Sequence, residues 1–103
     1  MTTHQQLLFH IVFSTKSRKR LLNDAIRDDV FAYMAGICRN LDGFALEVGG
    51  FYDHVHLLVR IPAKVAVSDF VGKLKANTSK HINQNNGSSL SFAWQDGFGA
   101  FTP

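Results

Sequence analysis

DHVHLLVRIP, residues 53–62, sets Val55, Leu57, Val59 and Ile61 at every second position, with His54 and His56 between and before them. Successive side chains of a strand point to opposite faces. The stretch therefore reads as a strand with one apolar face and two imidazoles on the other, their Cα atoms about 6.5 Å apart. Pro62, which lacks an N–H for the ladder, ends it. A strand that is apolar on one side only needs a covering layer on that side, so the pattern calls for a sheet backed by helices.

The flanking sequence supplies such layers. QLLFHIVFS, residues 6–14, alternates Leu7, Phe9, Ile11 and Phe13 against Leu8, His10, Val12 and Ser14, a second strand. From Asn23 to Leu41 the apolar residues Ile26, Val30, Tyr33, Met34, Ile37 and Leu41 recur at three- and four-residue steps. That spacing predicts a helix with Asn23 as N-cap and Gly43 just past its end. Phe44–Phe51 reads as a strand joined to the His54 strand through Tyr52 and Asp53, or paired with it through a bulge. Past Pro62, Val67, Phe70, Val71, Leu74 and Ile82 predict a second helix capped near Ser68, which NQNNGSS, residues 83–89, should break as a polar loop. The aromatic and glycine-rich tail, residues 91–103, supplies a last strand. The order β-α-β-β-α-β is the α+β, ferredoxin-like plan: a four-stranded antiparallel sheet with two helices on one face.

The 103 residues allow one domain, with 46% hydrophobic and 18% charged residues, a composition that excludes a disordered or fibrous chain. The lone Cys38 allows no internal disulfide, and neither a secretory leader nor a membrane span is visible, so a cytoplasmic location is expected. The formal charge of +3 is unevenly placed: Lys16, Arg18, Lys19 and Arg20 crowd into TKSRKR, and Lys64, Lys73, Lys75 and Lys80 form a second basic region. Two such clusters suit a polyanion and equally suit solvated surface.

His54 and His56 on one strand face can reach one ion, and two imidazoles still leave a first-row metal or Mg²⁺ short of ligands. His10, placed on the same open face by the neighbouring strand, and Asp53 are the further candidates for contact with the metal or with a bound polyanion, beside water or a group supplied by a substrate. His81, on the second helix, reads as a surface or packing residue, Tyr33 as core, and His4 is left unassigned.

Taken together, FHIVFSTKSRKR (9–20), DHVHLLVRIP (53–62), VSDFVGKLKANTSKHI (67–82) and WQDGFGAF (94–101) resemble the small HUH transposases of single-strand insertion sequences and their repeat-associated relatives, over almost the whole chain. The resemblance implies that His54 and His56 bind Mg²⁺ or Mn²⁺ against a scissile phosphate of single-stranded DNA. A tyrosine of the family attacks that phosphorus, leaving a 5′-phosphotyrosine and a free 3′-hydroxyl, which stores the bond for rejoining. It also implies a homodimer acting on hairpin-containing DNA, with Lys16, Arg18, Lys19, Arg20, Lys73, Lys75 and Lys80 neutralising phosphates. In the family the nucleophile, and a glutamine that completes the metal site, lie on a further C-terminal helix. The expectation is a single HUH domain over 1–103, truncated before that helix. Tyr52, two residues before His54, is the one substitute nucleophile worth weighing.

Two rivals stand beside this reading. A transposase remnant that grips hairpin DNA without cutting it would carry the same motifs. GFGAF, residues 97–101, superficially resembles the RNA-recognition-motif signature, but Asp96 and Ala100 stand where that signature wants a basic residue and an aromatic, and the segment falls on the fourth strand instead of the third. On the transposase reading Phe98 and Phe101 pack, and Trp94 is a core anchor or a base platform.

Overall fold

A computed structural model describes residues 5–86 and 91–103, with the side chain of residue 86 excluded. His4 lies outside them. Strand β1 (Gln6–Ser14) leads through a 3₁₀ turn (Lys16–Arg18) to helix α1 (Arg27–Asn40). Strands β2 (Phe44–Gly50) and β3 (His54–Pro62), helix α2 (Val67–Asn86) and strand β4 (Gly99–Phe101) follow. The sheet order is β2-β3-β1-β4 with every neighbouring pair antiparallel, which is the ferredoxin-like arrangement that the sequence predicts.

Register decides what each face carries. Ile11 pairs with Leu57 and Phe13 with Val55, so the apolar sets of β1 and β3 lie on one side; these four are fully or almost fully buried, while Phe9 is partly buried and Leu7, near the start of β1, is exposed. Val30, Met34 and Cys38, one residue per helical turn, bring α1 onto that side, and Phe70, Val71, Leu74 and Ile82 bring α2. Each such side chain contributes about 1.5–3 kcal/mol by leaving water, so this interface is what holds the two layers together. β2 keeps the pattern through a bulge between Ala45 and Glu47. Leu46 is the extra residue and is left exposed, while Val48 returns to the helix side and Glu47 and Gly49 to the open side.

Several boundaries differ from the sequence reading, each for a local reason. Asn23 does cap, but it caps an entry turn: its Oδ1 accepts the Ala25 and Ile26 N–H groups at 3.0 and 3.2 Å, and regular helix begins only at Arg27. At the other end Asp42, not a glycine, takes the left-handed conformation (φ 65°). Gly43 serves close approach instead, because a Cβ there would lie 2.7 Å from the Arg60 carbonyl oxygen and 2.9 Å from the Phe70 ring. Ser68 lies inside α2 and does not cap it, since the Phe70 N–H already donates to Ala66. The polar run at 83–86 stays helical: Asn83 accepts the Phe92 N–H at 2.7 Å and donates to the Phe92 carbonyl at 3.1 Å, tying the helix to the tail. The rest of the predicted loop, 87–89, lies outside the described residues.

The last strand is shorter than expected. Trp94 bridges to Thr15, the Gln95 N–H donates to the Ser14 carbonyl at 2.9 Å, β4 pairs with His10, Ile11 and Val12, and Asp96–Phe98 lie outside the ladder between. Trp94 anchors the tail in the core: its ring meets Phe13 and Phe92 edge-on at 4.8 and 4.7 Å, and its indole N–H donates to the Lys75 carbonyl. Phe98 and Phe101 do not pack as expected. They are 37% and 59% exposed: Phe98 lies before β4 in an unpaired segment, and Phe101, opposite His10, stands on the open side of β4, which none of the described elements covers.

Candidate metal and nucleic-acid site

The open face of the sheet carries the histidines. His54 pairs with Ser14 across β1, and His56 sits between Val12 of β1 and Gly49 of β2. Gly49 has no side chain to cover its neighbour, and a Cβ there would meet nothing within 4 Å. The rings of His54 and His56 lie side by side, centroids 4.9 Å apart and nearly perpendicular. His10, diagonal to His56, brings its Nε2 to 3.4 Å from His56 Nδ1. All three imidazoles that the sequence assigns to this face are therefore together. His10, Glu47, Val48, Gly49, His56 and Leu58 line a shallow depression of about 200 Å³ beside them.

Asp53, in the turn before β3, holds the cluster at one end. Its Oδ1 lies 2.8 Å from His54 Nδ1, and its Oδ2 accepts from Arg18 Nε at 3.2 Å. A carboxylate only accepts, so His54 Nδ1 is the donor of this bond, and the neutral form of the ring has its lone pair at Nε2. The bond to His54, ahead of the Arg18 charge, holds the Asp53 carboxyl below the usual range. Burial first, then the neighbouring His54 and His10 charges, pushes the His56 imidazolium down, favouring the neutral ring that can ligate.

These observations bear on whether a divalent ion fits. The pair His54 and His56 supplies two imidazoles on an accessible face, one of them held at Nδ1 by a carboxylate as metal-ligating histidines usually are. Among the described residues no three His, Cys, Asp or Glu side chains converge well enough to hold an ion alone. The histidine pair fits as part of a site whose remaining ligands come from water, substrate oxygens or another group.

The basic residues divide. The turn carrying Lys16 to Arg20 adjoins Asp53, with Thr15 Oγ1 donating to the Lys19 carbonyl and the Thr15 N–H donating to the Asp53 carbonyl. Lys16 and Lys19 are exposed, Arg18 pairs with Asp53, and Arg20 lies over the Tyr52 ring at 4.1 Å. Lys73 and Lys80 are exposed on α2, in the helical layer behind the sheet. Lys75 is tethered: its ammonium donates to the Gln95 and Gly97 carbonyls at 2.8 and 2.9 Å, and burial lowers its pKa.

Both tyrosines are engaged elsewhere. Tyr52 lies in the hairpin turn, since β2 ends at Gly50 and β3 begins at His54, and its hydroxyl donates to Asp24 at 3.3 Å between Arg20 and Arg27. Tyr33 stacks on His81 at 3.8 Å, and His81 bonds Asp29. The residues that sequence reasoning missed are Glu47, placed in the depression by the bulge, and the specific link from Arg18 to His54 through Asp53. Only the adjacency of Asp53 to His54 hinted at the second.

A one-sided ferredoxin-like sheet presenting a His-x-His pair beside a basic turn has the framework of the single-strand HUH proteins. The chain belongs to the IS200-like transposase family, whose model, described as "Transposase IS200 like", matches residues 3–103. It is 32% identical over 88 residues to the transposase for insertion sequence element IS200 of Salmonella typhimurium strain LT2, and equally to that of Salmonella typhi, covering 85% of this chain and 57% of each relative. The chain thus spans little more than half the length of these curated relatives. In fold it is similar to the crystal structure of a candidate transposase from Deinococcus radiodurans R1, with a TM-score of 0.88, 19% identity, and coverage of 100% of this chain and 83% of that one. It is also similar to a REP-associated tyrosine transposase bound to a REP hairpin, with a TM-score of 0.70, 10% identity, and coverage of 100% and 60%. No described helix is long and apolar enough to cross a membrane.

Proposed function

We propose that this domain serves DNA transposition by binding single-stranded, hairpin-containing DNA at the open face of its sheet, with Mg²⁺ or Mn²⁺ held by His54 and His56. The observation that carries the reading is the side-by-side placement of these two imidazoles on the uncovered face, with His54 Nε2 left free by Asp53. A divalent ion there would offset charge on the phosphoryl oxygens of a scissile phosphate. The residues of the chain do the rest of the placing. The depression beside His10 and His56 leaves the face accessible to a phosphodiester, and the exposed ammonium groups of Lys16 and Lys19 attract the flanking phosphates at the end of the sheet that carries His54. The resemblance to the family implies that a tyrosine forms the covalent link to DNA and that the protein acts as a homodimer, as family members usually do.

A second reading has its own support. Tyr33 is stacked on His81 and the Tyr52 hydroxyl is bonded to Asp24, neither aimed at His54 or His56, so these residues by themselves would grip DNA without cutting it. Fluorescence anisotropy with a labelled hairpin bearing a single-stranded flank tests the shared part: added Mn²⁺ should tighten binding, and His54→Ala with His56→Ala should remove that increment while leaving metal-free binding intact. An increment that survives the double substitution would place the ion elsewhere. A covalent protein–DNA adduct formed by residues 1–103 and mapping to Tyr52 would overturn the second reading.

A further inference from the structure

Asp53 was a candidate for direct contact with metal or DNA, but its geometry fits another role. Each carboxylate oxygen already has a partner on the protein, Oδ1 at His54 Nδ1 and Oδ2 at Arg18 Nε. The two nitrogens of an imidazole point to divergent sides of the ring, so a group held at Nε2 lies away from a carboxylate bonded at Nδ1. Asp53 therefore cannot share with His54 an ion bound at Nε2.

The surroundings hold this carboxylate in place. The Asp53 carbonyl accepts the N–H of Thr15 at 2.9 Å, and Thr15 is fully buried. Arg18 reaches Asp53 from a turn in which Ser17 and Arg18 both take left-handed backbone conformations, φ 57° and 55°. Non-glycine residues persist there only when their surroundings fix them. Here the Ser17 N–H donates to Gln95 Oε1 and the Arg18 N–H to the Thr15 carbonyl. The buried threonine thus fixes the Asp53 backbone at its carbonyl, and the arginine of the strained turn fixes its carboxylate.

We propose that Asp53 is a positioning residue: it fixes His54 as the Nδ1–H tautomer, sets the plane of its ring, and so selects Nε2 as the atom presented on the open face. Arg18 holds the other oxygen and links the basic turn to the histidine pair. The role of Nε2 as a metal ligand rests on the function proposed above; the tautomer itself does not.

The test separates the two. Nitrogen-15 NMR of metal-free protein labelled at histidine reads the His54 tautomer directly, and Mn²⁺ titration by electron paramagnetic resonance reads affinity. The wild type should show His54 protonated at Nδ1. Asp53→Ala should release it toward the Nε2–H form that unrestrained imidazoles prefer and weaken Mn²⁺ binding by about 10- to 100-fold, as loss of an outer partner does. Asp53→Asn keeps an acceptor oxygen and should restore the tautomer and most of the affinity. A His54 ring protonated at Nε2 in the wild type, or a tautomer unchanged in Asp53→Ala, would overturn the proposal. So would Asp53→Asn proving as damaging to affinity as Asp53→Ala, since that marks Asp53 as a direct ligand. A wild type with the expected tautomer but no Mn²⁺ uptake would instead refute the metal reading and leave the control of His54 by Asp53 standing.

Discussion

Replacing Gly50 by alanine should unfold the site from its hairpin outward. Gly50 has φ 151°, a conformation that residues with a Cβ rarely adopt, and a Cβ there would collide with the His54 carbonyl oxygen and lie 2.9 Å from Val55 Cα. Both obstacles are backbone, so no side-chain rotation relieves them. The hairpin would have to open, and the 3.0 Å bond from the Phe51 N–H to that same carbonyl would stretch. Conformational strain costs about 1–3 kcal/mol and overpacking a similar amount, a loss of about 2–6 kcal/mol in all. With a urea m-value of about 1–2 kcal/mol/M for a domain of this size, the midpoint should fall by at least about 1 M. Gly49→Ala is the control: its Cβ meets nothing within 4 Å, and stability should change by no more than about 0.5 kcal/mol. Equal urea midpoints for Gly50→Ala and wild type would refute the close-approach argument for this hairpin.

Three further outcomes are expected. Burial raises the Cys38 thiol to about 11, so a disulfide reagent at pH 8 should leave native protein unlabelled and label it on unfolding; rapid native labelling would contradict the burial. Lys16→Ala with Lys19→Ala should lower the salt slope of single-strand binding by about 0.7 for each phosphate no longer neutralised, whereas Lys75→Met should leave the slope alone and destabilise the tail that its ammonium holds; a slope that falls only in Lys75→Met would reverse these roles. The His56 midpoint, followed by proton NMR, should lie below 6.5, and His10→Gln should raise it by removing a neighbouring charge. The sign follows from linkage: a histidine depressed in the folded state binds fewer protons there than when unfolded, so its contribution to stability is complete above the unfolded value and is lost as pH falls below it. A His56 midpoint at or above 6.5 would contradict the cause assigned.

The alternation in DHVHLLVRIP made one face of β3 legible at once, and with it the layer order and the side on which the histidines stand. The same period in β1 placed His10 beside them, because antiparallel pairing keeps even positions opposite even ones in this register. What escaped the sequence depends on partners distant in the chain. Asn83 to Asn86 look like loop residues until Phe92 comes to bond Asn83, and Lys75 looks like a free charge until the Gln95 and Gly97 carbonyls take it up. Arg18 and Asp53 stand 35 residues apart, and nothing in either segment marks them as a pair. The exposure of Phe101 was hidden for a related reason: aromatics in a predicted strand suggest packing, but β4 is an edge strand with three paired residues and an uncovered outer face.

The central claim is that His54 and His56 together clasp a divalent ion on the open face, and direct Mn²⁺ titration of DNA-free protein, with and without both imidazoles, tests it most directly. The wild type should bind one ion per chain, and His54→Ala with His56→Ala should bind none while its circular dichroism spectrum and urea midpoint stay close to wild type. Uptake unchanged by the double substitution, or loss of the fold in its place, would contradict the claim.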